Sequence, residues 1–433
     1  MKIIQKYSNL KLDLFAKLMN NTGKVVDNGL CLLCGLCIAA CPHKCIYIKD
    51  RKIKVDNEKC TDCGLCQHYC PGMHSNNNIG NSIKERMEGI ALESYVGRSR
   101  NLNVIKKSVS GGIVTEIIST LLEMNLYELA IGVKDRQLDT DCVMEIYDKT
   151  AALNYQKSIY TMPLYTDVIR YIRDHKDKKI IIVGSGCIVS SIKKYVRETH
   201  LNMDNYLFVG LFCDCTLSPN IELYFKNFGR GTGDSIIGLD YRCKGDLKKW
   251  PGDVRLKFKK GSIFVPNTER QKVVKYFRNE RCLYCLDHMN TNADISVGDN
   301  YTKQHSDKLG SNSIVIRSEL GRKIIRLIGP NIHIYEVPYK DILNSQNIKD
   351  KYDNYFYSKI IEEQKGISIN EIEIDDMENE NERKILKDYS LKLKRIGIGK
   401  RYRFSQLFWD MYLMTQNKDS IRNRVRIIIK RKG

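Results

Sequence analysis

Two closely spaced runs of cysteine constrain this chain more than any other feature of its sequence. The first run, CLLCGLCIAACP, begins at Cys31, and the second run, CTDCGLCQHYCP, begins at Cys60. In each run three cysteines lie three residues apart, and a fourth follows four residues later, directly before a proline. This C-x2-C-x2-C-x3-C-P spacing is that of bacterial ferredoxins, whose thiolates hold [4Fe–4S] clusters. The paired runs therefore predict a domain with two such clusters.

In a two-cluster ferredoxin, the fourth cysteine of each run ligates the cluster of the other run. We therefore assign the eight cysteines to two sets. The first set comprises Cys31, Cys34, Cys37 and Cys70. The second set comprises Cys41, Cys60, Cys63 and Cys66. Zinc is the alternative metal, but zinc sites take four ligands from two pairs, which leaves the triplets unexplained. The surplus Cys45 is interpreted as a small buried residue.

Composition narrows the class of protein. A chain of 433 residues with 42% hydrophobic content is long enough for two or three domains with packed cores. Its 16 cysteines follow no secretory leader, which predicts reduced thiols and a cytoplasmic location. No apolar run approaches the roughly 18 residues of a membrane span. The formal charge of +20 comes without a base-reading motif, so we expect an acidic redox partner or an anionic cofactor rather than nucleic acid.

Further cysteines lie where predicted strands end. The segments KKIIIVGSGCIVSSIKKYVRE and NYLFVGLFCDCTLSPNIELYF each indicate a buried strand, a turn and a helix, and they place Cys187, Cys213 and Cys215 at the turns. The pair Cys282 and Cys285 precedes the predicted strand ADISVGD. Ligands of α/β sheets gather at the carboxyl ends of the strands. One pair cannot hold a metal alone, so Cys187 and Cys213 are candidate partners.

A glycine turn also precedes a predicted amphipathic helix. Ser110, Gly111 and Gly112 stand before the apolar positions of GIVTEIISTLLEMN. Free backbone N–H groups and the helix dipole make such a turn suited to phosphate, although an ordinary capped helix begins with the same residues.

The motifs KSVSGG, GSGC, LFCDCTLSP, YRCKG followed by Trp250, and CLYC followed by ADISVGD resemble, in order and spacing, the coenzyme F420 hydrogenase/dehydrogenase beta-subunit family. The likeness covers roughly residues 28 to 340, with the ferredoxin runs in front. It implies FAD, an iron–sulfur cluster and electron transfer between the flavin and a redox partner protein or subunit, often with a deazaflavin coenzyme as acceptor. It implies that Ser110, Gly111 and Gly112 cradle the FAD phosphates. It also implies a core set of cluster ligands, Cys187, Cys213, Cys282 and Cys285. Relatives reduce other substrates, so the acceptor stays open.

The sequence departs from the family beside a proposed ligand. Where the family has GTPCQ, this chain has GSGCI, with Gly186 and Ile188 in place of proline and glutamine. Where the family has CHG, this chain has CDC, so Asp214 replaces a histidine and Cys215 a glycine. These changes affect the prediction of the substrate and of the cluster's reduction potential more than the prediction of the fold. Cys215 is an alternative ligand to Cys213.

The predicted fold is α+β and α/β multidomain: a bacterial-type ferredoxin domain, an α/β flavin-binding core with a mixed sheet, and a helical C-terminal region. The predicted boundaries are 1–80, 81–340 and 341–433. Cys142 and Cys243 are interpreted as ordinary buried thiols. The basic C-terminal end is predicted to be a helix packed on the body, with peripheral membrane or partner contact as the alternative. The predicted function is that of a flavin-dependent iron–sulfur oxidoreductase, and a non-catalytic electron-transfer subunit is the alternative.

Overall fold

The cysteine-rich region begins the described part of the chain and consists of short helices and one hairpin. The computed structural model describes residues 20–73, 82–133, 144–148, 156–229, 235–244, 249–369 and 379–402. The elements of this region are α1 Gly23–Asp27, α2 Leu36–Ala40, β1 Ile46–Lys49, β2 Lys52–Val55 and α3 Leu65–His68. Strands β1 and β2 form a hairpin: they pair antiparallel around Asp50 and Arg51, both with positive φ, as a two-residue turn requires.

The two cysteine runs adopt the same local conformation. Gly35 and Gly64 occupy equivalent places in the runs, directly after the second cysteine of each. Both have positive φ, 73° and 77°, and each precedes a short helix that carries the third cysteine. A residue with a side chain is strained in this conformation, so the glycines let the chain turn tightly around each triplet of thiols.

An eight-stranded mixed sheet forms the core that follows. Its strand order is β13-β3-β12-β11-β7-β6-β4-β5, and β4, β6, β7 and β11 are parallel. The strands are β3 Glu93–Ser99, β4 Leu129–Gly132, β5 Glu145–Tyr147, β6 Ile180–Ser185, β7 Tyr206–Leu211, β11 Ile295–Asp299, β12 Asn312–Ile316 and β13 Ile332–Glu336. The predicted mixed α/β sheet is confirmed.

Helices cover both faces of this sheet because its strands are apolar on both sides. The helices of the core are α4 Ile83–Glu88, α5 Leu102–Lys107, α6 Ile113–Glu123, α7 Thr166–Asp174, α8 Gly186–Glu198, α9 Asn220–Lys226, α10 Asn267–Phe277 and α11 Glu319–Leu327. Helices α6 and α11 bury their apolar residues on one face, and α7 and α8 bury theirs on the other. The cysteine-rich region packs on the second face, where Tyr165 N donates to Cys34 O at 2.7 Å.

A second, three-stranded antiparallel sheet has no counterpart in the sequence prediction. Its order is β10-β9-β8, with β8 Ile236–Cys243, β9 Asp253–Phe258 and β10 Gly261–Val265. It shares an apolar core with α9 and α10, and Tyr402 is fully buried in that core. This sheet carries the YRCKG motif toward the main sheet.

The C-terminal region is helical, as predicted. Its helices are α12 Tyr339–Ser345, α13 Tyr352–Lys365 and α14 Asn379–Arg401. Residues of α13 and α14 share one apolar cluster with Val25 and Leu30 of the cysteine-rich region and with Leu283 and Tyr284. No helix within the described ranges is long and apolar enough to cross a membrane. The basic end beyond Tyr402, part of the acidic stretch and Cys142 lie outside the described residues.

Candidate metal and cofactor sites

The first set of cysteines is brought together by the fold, although Cys70 comes from the second run. Cys34, Cys37 and Cys70 are buried and Cys31 is half-buried. Burial, followed by the neighbouring thiols Cys70 and Cys37, raises the pKa of Cys34 well above its ordinary value. Backbone N–H groups support the set, since Gly72 N donates to Cys70 Sγ at 3.3 Å. This arrangement matches the proposed exchange of fourth ligands.

The second set lines a cavity that opens to solvent. The cavity has a volume of about 280 Å³, including its open part, and Cys41, Cys60, Cys63 and Cys66 all line it. Cys63 is exposed, whereas Cys66 is buried. Burial raises the pKa of Cys66 to about 11, and Cys41 and Cys60 contribute to the rise. The structure thus places Cys41 with Cys60, Cys63 and Cys66 of the second run.

Cys45 lies in the same cavity as a fifth thiol. Its sulfur is 3.4 Å from Cys41 Sγ, and burial, Cys41 and Cys60 together raise its pKa to about 12. Cys45 is buried, as interpreted from the sequence, but its place beside Cys41 is a feature that sequence reasoning missed.

The core set assembles from three separated segments. Cys187 is the second residue of α8, directly after β6, and Cys213 lies two residues beyond β7. Cys282 belongs to the 3-10 helix Glu280–Tyr284, and Cys285 follows it. Burial raises the pKa of Cys187 to about 12, and Cys285 and Cys282 add to the rise. The carboxyl ends of parallel strands therefore bring together the four thiols that the sequence named.

Backbone and amide hydrogen bonds fix these segments against each other. Cys213 N donates to His288 O at 2.9 Å, and Thr216 N donates to Cys282 Sγ at 3.4 Å. The buried Asn290 side chain donates to Gly184 O at 2.8 Å and so ties the chain after Cys285 to the end of β6. The positions of the thiols are thus set by β6 and β7 and by the segment that crosses their ends.

Cys215 is close to the core set but less central to it. Cys282 and Cys187 are the neighbours that act most on Cys213, with Cys215 and Cys285 after them. For Cys215, burial raises the pKa to about 12, while Arg278 opposes the rise. Cys187 is not among the groups that act most on Cys215, so Cys213 stays the proposed ligand, with Cys215 beside it.

A group of charged residues, of which Lys351 and His288 are buried, adjoins the core set. Asp214 Oδ1 accepts from Lys351 Nζ at 2.8 Å, and Asp214 Oδ2 accepts from Arg278 Nη2 at 2.5 Å. Although burial opposes it, Lys351 and Arg278 hold the pKa of Asp214 well below its usual range. Burial lowers the pKa of His288 to about 4, and Lys351 acts in the same direction. Sequence reasoning missed Lys351, which lies 137 residues from its carboxylate partner.

The chemistry of these thiols fits iron–sulfur clusters. Thiols with raised pKa stay protonated at neutral pH, and a bound metal deprotonates a coordinating thiol outright. Thiolates buried in this way need compensating charge, which Arg278 and Lys351 supply at the core set. Among the described residues, no three His, Cys, Asp or Glu side chains converge on one point that could hold a single metal ion.

The glycine turn before α6 is packed tightly against protein. Gly112 has a φ of 85° and caps the helix, and Ser110 Oγ donates to Ser311 O at 2.7 Å. A Cβ on Gly111 would lie 2.7 Å from Asn312 Oδ1 and 2.8 Å from Gly97 O. Packing therefore explains the absence of a side chain at Gly111, whether or not a phosphate approaches it.

Two buried cations from the YRCKG motif stand beside this turn. Lys244 Nζ donates to Ile105 O and Ser110 O, both at 2.7 Å, and burial together with Arg242 lowers its pKa to about 8. Arg242 Nη1 lies 2.5 Å from Asp299 Oδ2. Within the described residues, Arg242 Nη2 and the hydroxyl of Ser108 are buried without a hydrogen-bond partner. Such donors fit the phosphate groups of a dinucleotide.

Comparison with known families agrees with this architecture. Residues 23–81 match the model described as "4Fe-4S dicluster domain". Two models of the coenzyme F420 hydrogenase/dehydrogenase beta subunit match the rest: the model of its N-terminal part matches residues 94–170, and the model of its C-terminal part matches residues 177–341. The dicluster domain confirms the prediction of two [4Fe–4S] clusters in the cysteine-rich region.

Individual relatives are distant in sequence. A subunit of the F(420)H(2) dehydrogenase of Methanosarcina mazei is 23% identical over 73% of this chain and 87% of its own length. The beta subunit of the F420-dependent formate dehydrogenase of Methanocaldococcus jannaschii is also 23% identical, over 51% of this chain and 55% of its own length.

Among solved structures, a chain from the F420-reducing [NiFe] hydrogenase complex of Methanosarcina barkeri is 20% identical, with a TM-score of 0.49. The match covers 65% of this chain and 95% of that one. The three family matches follow one another along the chain, first over the cysteine-rich region and then over the core. They show that this chain belongs to the coenzyme F420 hydrogenase/dehydrogenase beta-subunit family, with a 4Fe-4S dicluster domain in front of the family's own regions.

Proposed function

We propose that the chain is an iron–sulfur flavoprotein oxidoreductase subunit. It passes electrons between the two clusters of the dicluster domain and FAD, and on to a small acceptor such as a deazaflavin coenzyme. The observation that carries this proposal is the meeting of Cys187, Cys213, Cys282 and Cys285 at one edge of the sheet, next to the dicluster domain. A third [4Fe–4S] cluster held there supplies reversible one-electron transfer.

The flavin is assigned to the turn before α6. Ser110, Gly111 and Gly112 form the turn, and Lys244 holds it in place through two carbonyl oxygens. The unpartnered Ser108 hydroxyl and Arg242 N–H supply donors for a diphosphate. Support for FAD therefore rests on a set of buried donors rather than on the glycines alone.

The acceptor is inferred from chemistry and from relatives. Two relatives bear names that state a reaction with coenzyme F420, which makes a deazaflavin the first acceptor to test. Both are named as subunits, so we expect a redox partner protein. The formal charge of +20 suits an acidic partner or an anionic coenzyme by steering encounter. The many reduced thiols suit the cytoplasm. The competing function is that of a non-catalytic electron-transfer subunit, which transfers electrons to a partner enzyme and binds no FAD.

Anaerobic purification followed by flavin analysis and an acceptor screen tests the proposal. We expect bound FAD, which reduced coenzyme F420 or dithionite bleaches and which an oxidised acceptor restores. A protein with full iron and sulfide but no flavin, and no reaction with any small acceptor, would favour the electron-transfer subunit. Lys244→Met removes the lysine that binds Ile105 O and Ser110 O and so holds the turn. Lys249→Met is the matched control, because Lys249 lies in the same loop region but outside the turn. Only the first should lose flavin.

A further inference from the structure

Arg281 lies at the junction between the first set and the core set. It is 2% exposed and stands directly before Cys282 in the chain. Its Nε donates to Pro71 O at 3.1 Å and to Gly72 O at 2.9 Å. These two carbonyls follow Cys70, and Gly72 N donates in turn to Cys70 Sγ at 3.3 Å. One side chain therefore connects the backbone next to a core ligand with the backbone next to a ligand of the first set.

The charge of Arg281 acts on thiols of both sets. Arg281 lies within electrostatic range of Cys70 in the first set. It also lies within range of Cys187 and Cys285 in the core set and directly precedes Cys282 in the chain. A buried positive charge favours the more negative form of any group beside it. For a cluster, the more negative form is the reduced one.

We propose that Arg281 is a positioning residue that fixes the first set and the core set against each other and shares one positive charge between the two clusters. This inference rests on the proposed function, because it requires a cluster at the core set. The shared charge raises the reduction potential of both clusters together. The hydrogen bonds to Pro71 O and Gly72 O keep the distance between the two sets fixed.

Arg278 offers a matched control on the same segment. It is also a guanidinium beside the core set, but it donates to Asp214 Oδ2 and not to the residues after Cys70. It lies within electrostatic range of Cys282 and Cys213 of the core set. Removing the charge of Arg278 should therefore change the core cluster and leave the first cluster as it was.

The test is a redox titration followed by EPR on the full-length, anaerobically purified protein. In Arg281→Gln, the ratio of reduced to oxidised cluster at a fixed ambient potential should fall about tenfold for both the first and the core cluster, which equals about 59 mV for a one-electron couple. The second cluster should not move. Arg278→Gln should shift the core cluster alone, and Arg281→Lys, which keeps the charge, should restore most of both potentials. Full iron with unchanged potentials in Arg281→Gln, or a shift of the core cluster alone, would overturn the proposal.

If Arg281→Gln loses iron, EPR spectroscopy of the unmodified protein tests the proposal instead. When all clusters are reduced, the first and core clusters should interact magnetically, and their EPR signals should be split or broadened. The interaction should persist in Cys41→Ser, which lacks the second cluster. Two magnetically isolated signals would overturn the proposal. Iron content separates the two levels of inference: about twelve irons with no interaction contradicts the role of Arg281, whereas about eight irons contradicts the proposed core cluster.

Discussion

The second set and the core set solve the problem of holding four thiolates in opposite ways. The second set lines an open cavity, Cys63 is exposed, and three of its four ligands come from one short run of chain. The core set is drawn from three segments and lies beside buried cations such as Lys351. Solvent compensates the charge of the thiolates in the second set, whereas protein cations compensate that charge in the core set. The comparison shows that ligands from one short run are brought together by local spacing, whereas ligands from three separated segments are brought together only by the folded sheet.

The largest expected effect separates the two cysteines of CDC. Cys213→Ser should remove the core cluster, about four irons per chain, and leave the dicluster domain loaded. Cys215→Ser should keep all the iron, because Cys187 is a main neighbour of Cys213 and is not among the groups that act most on Cys215. Iron and acid-labile sulfide assays on both anaerobically purified variants check this. The reverse pattern would make Cys215 the ligand.

Air exposure should sharpen the contrast between the sets. Because Cys63 of the second set is exposed, whereas every thiol of the core set is buried or half-buried, the second cluster should be the first to be lost in air, as measured by the EPR signal that returns on anaerobic re-reduction. The Cys41→Ser variant, which lacks that cluster, should not show the early phase of loss. A time course in which the core signal decays first would show that the lower exposure of the core thiols does not protect the core cluster.

A smaller effect is expected at the first residue of α8. A Cβ on Gly186 would lie 2.0 Å from Asp287 Oδ2, whereas a Cβ on Gly184 would meet Ile188 Cγ2 at 3.3 Å. Gly186→Ala should therefore destabilise the protein by about 1–3 kcal/mol and loosen the core cluster, and Gly184→Ala should cost less. Anaerobic thermal unfolding with an iron assay checks both. Equal effects of the two substitutions would contradict the close packing of Asp287.

The smallest expected effect concerns pH. Lys244 has a folded-state pKa of about 8, below its ordinary value, so the unfolded chain binds more protons between about pH 8 and 10.4. The contribution of Lys244 to stability should therefore rise with pH across that window. The neutral amine still has two N–H groups for Ile105 O and Ser110 O. The difference in unfolding temperature between the native protein and Lys244→Met should grow in favour of the native protein from pH 8 to 10. A difference that shrinks or stays constant would contradict a charged, buried lysine below pH 8.

Local patterns in the sequence predicted the parts of the fold that local physics determines. The strand and helix around Cys187 and the strand before Cys213 follow from apolar periodicity, and the structure confirms both. The three-stranded sheet β8–β10 was missed, although DVRLKF of β9 alternates polar and apolar residues as a half-buried strand does. The boundaries 1–80, 81–340 and 341–433 stay predictions.

The electrostatic partners of the core set could not be predicted. Lys351 is one of 71 lysines and arginines, and only the folded chain brings it to Asp214. Arg281 could more easily have been predicted from the sequence as a neighbour of the core set, because it directly precedes the CLYC pair. Gly111 shows the opposite difficulty: the sequence suggested a phosphate contact, and the structure supplies a packing reason for the same residue.

The central claim is that the core set holds a third cluster, and native mass spectrometry of the full-length protein tests it most directly. The account predicts a mass that corresponds to about twelve irons and twelve sulfides per chain, and about eight of each in Cys282→Ser. A native protein with about eight irons, unchanged by Cys282→Ser, would contradict it and leave Cys187, Cys213, Cys282 and Cys285 as structural thiols.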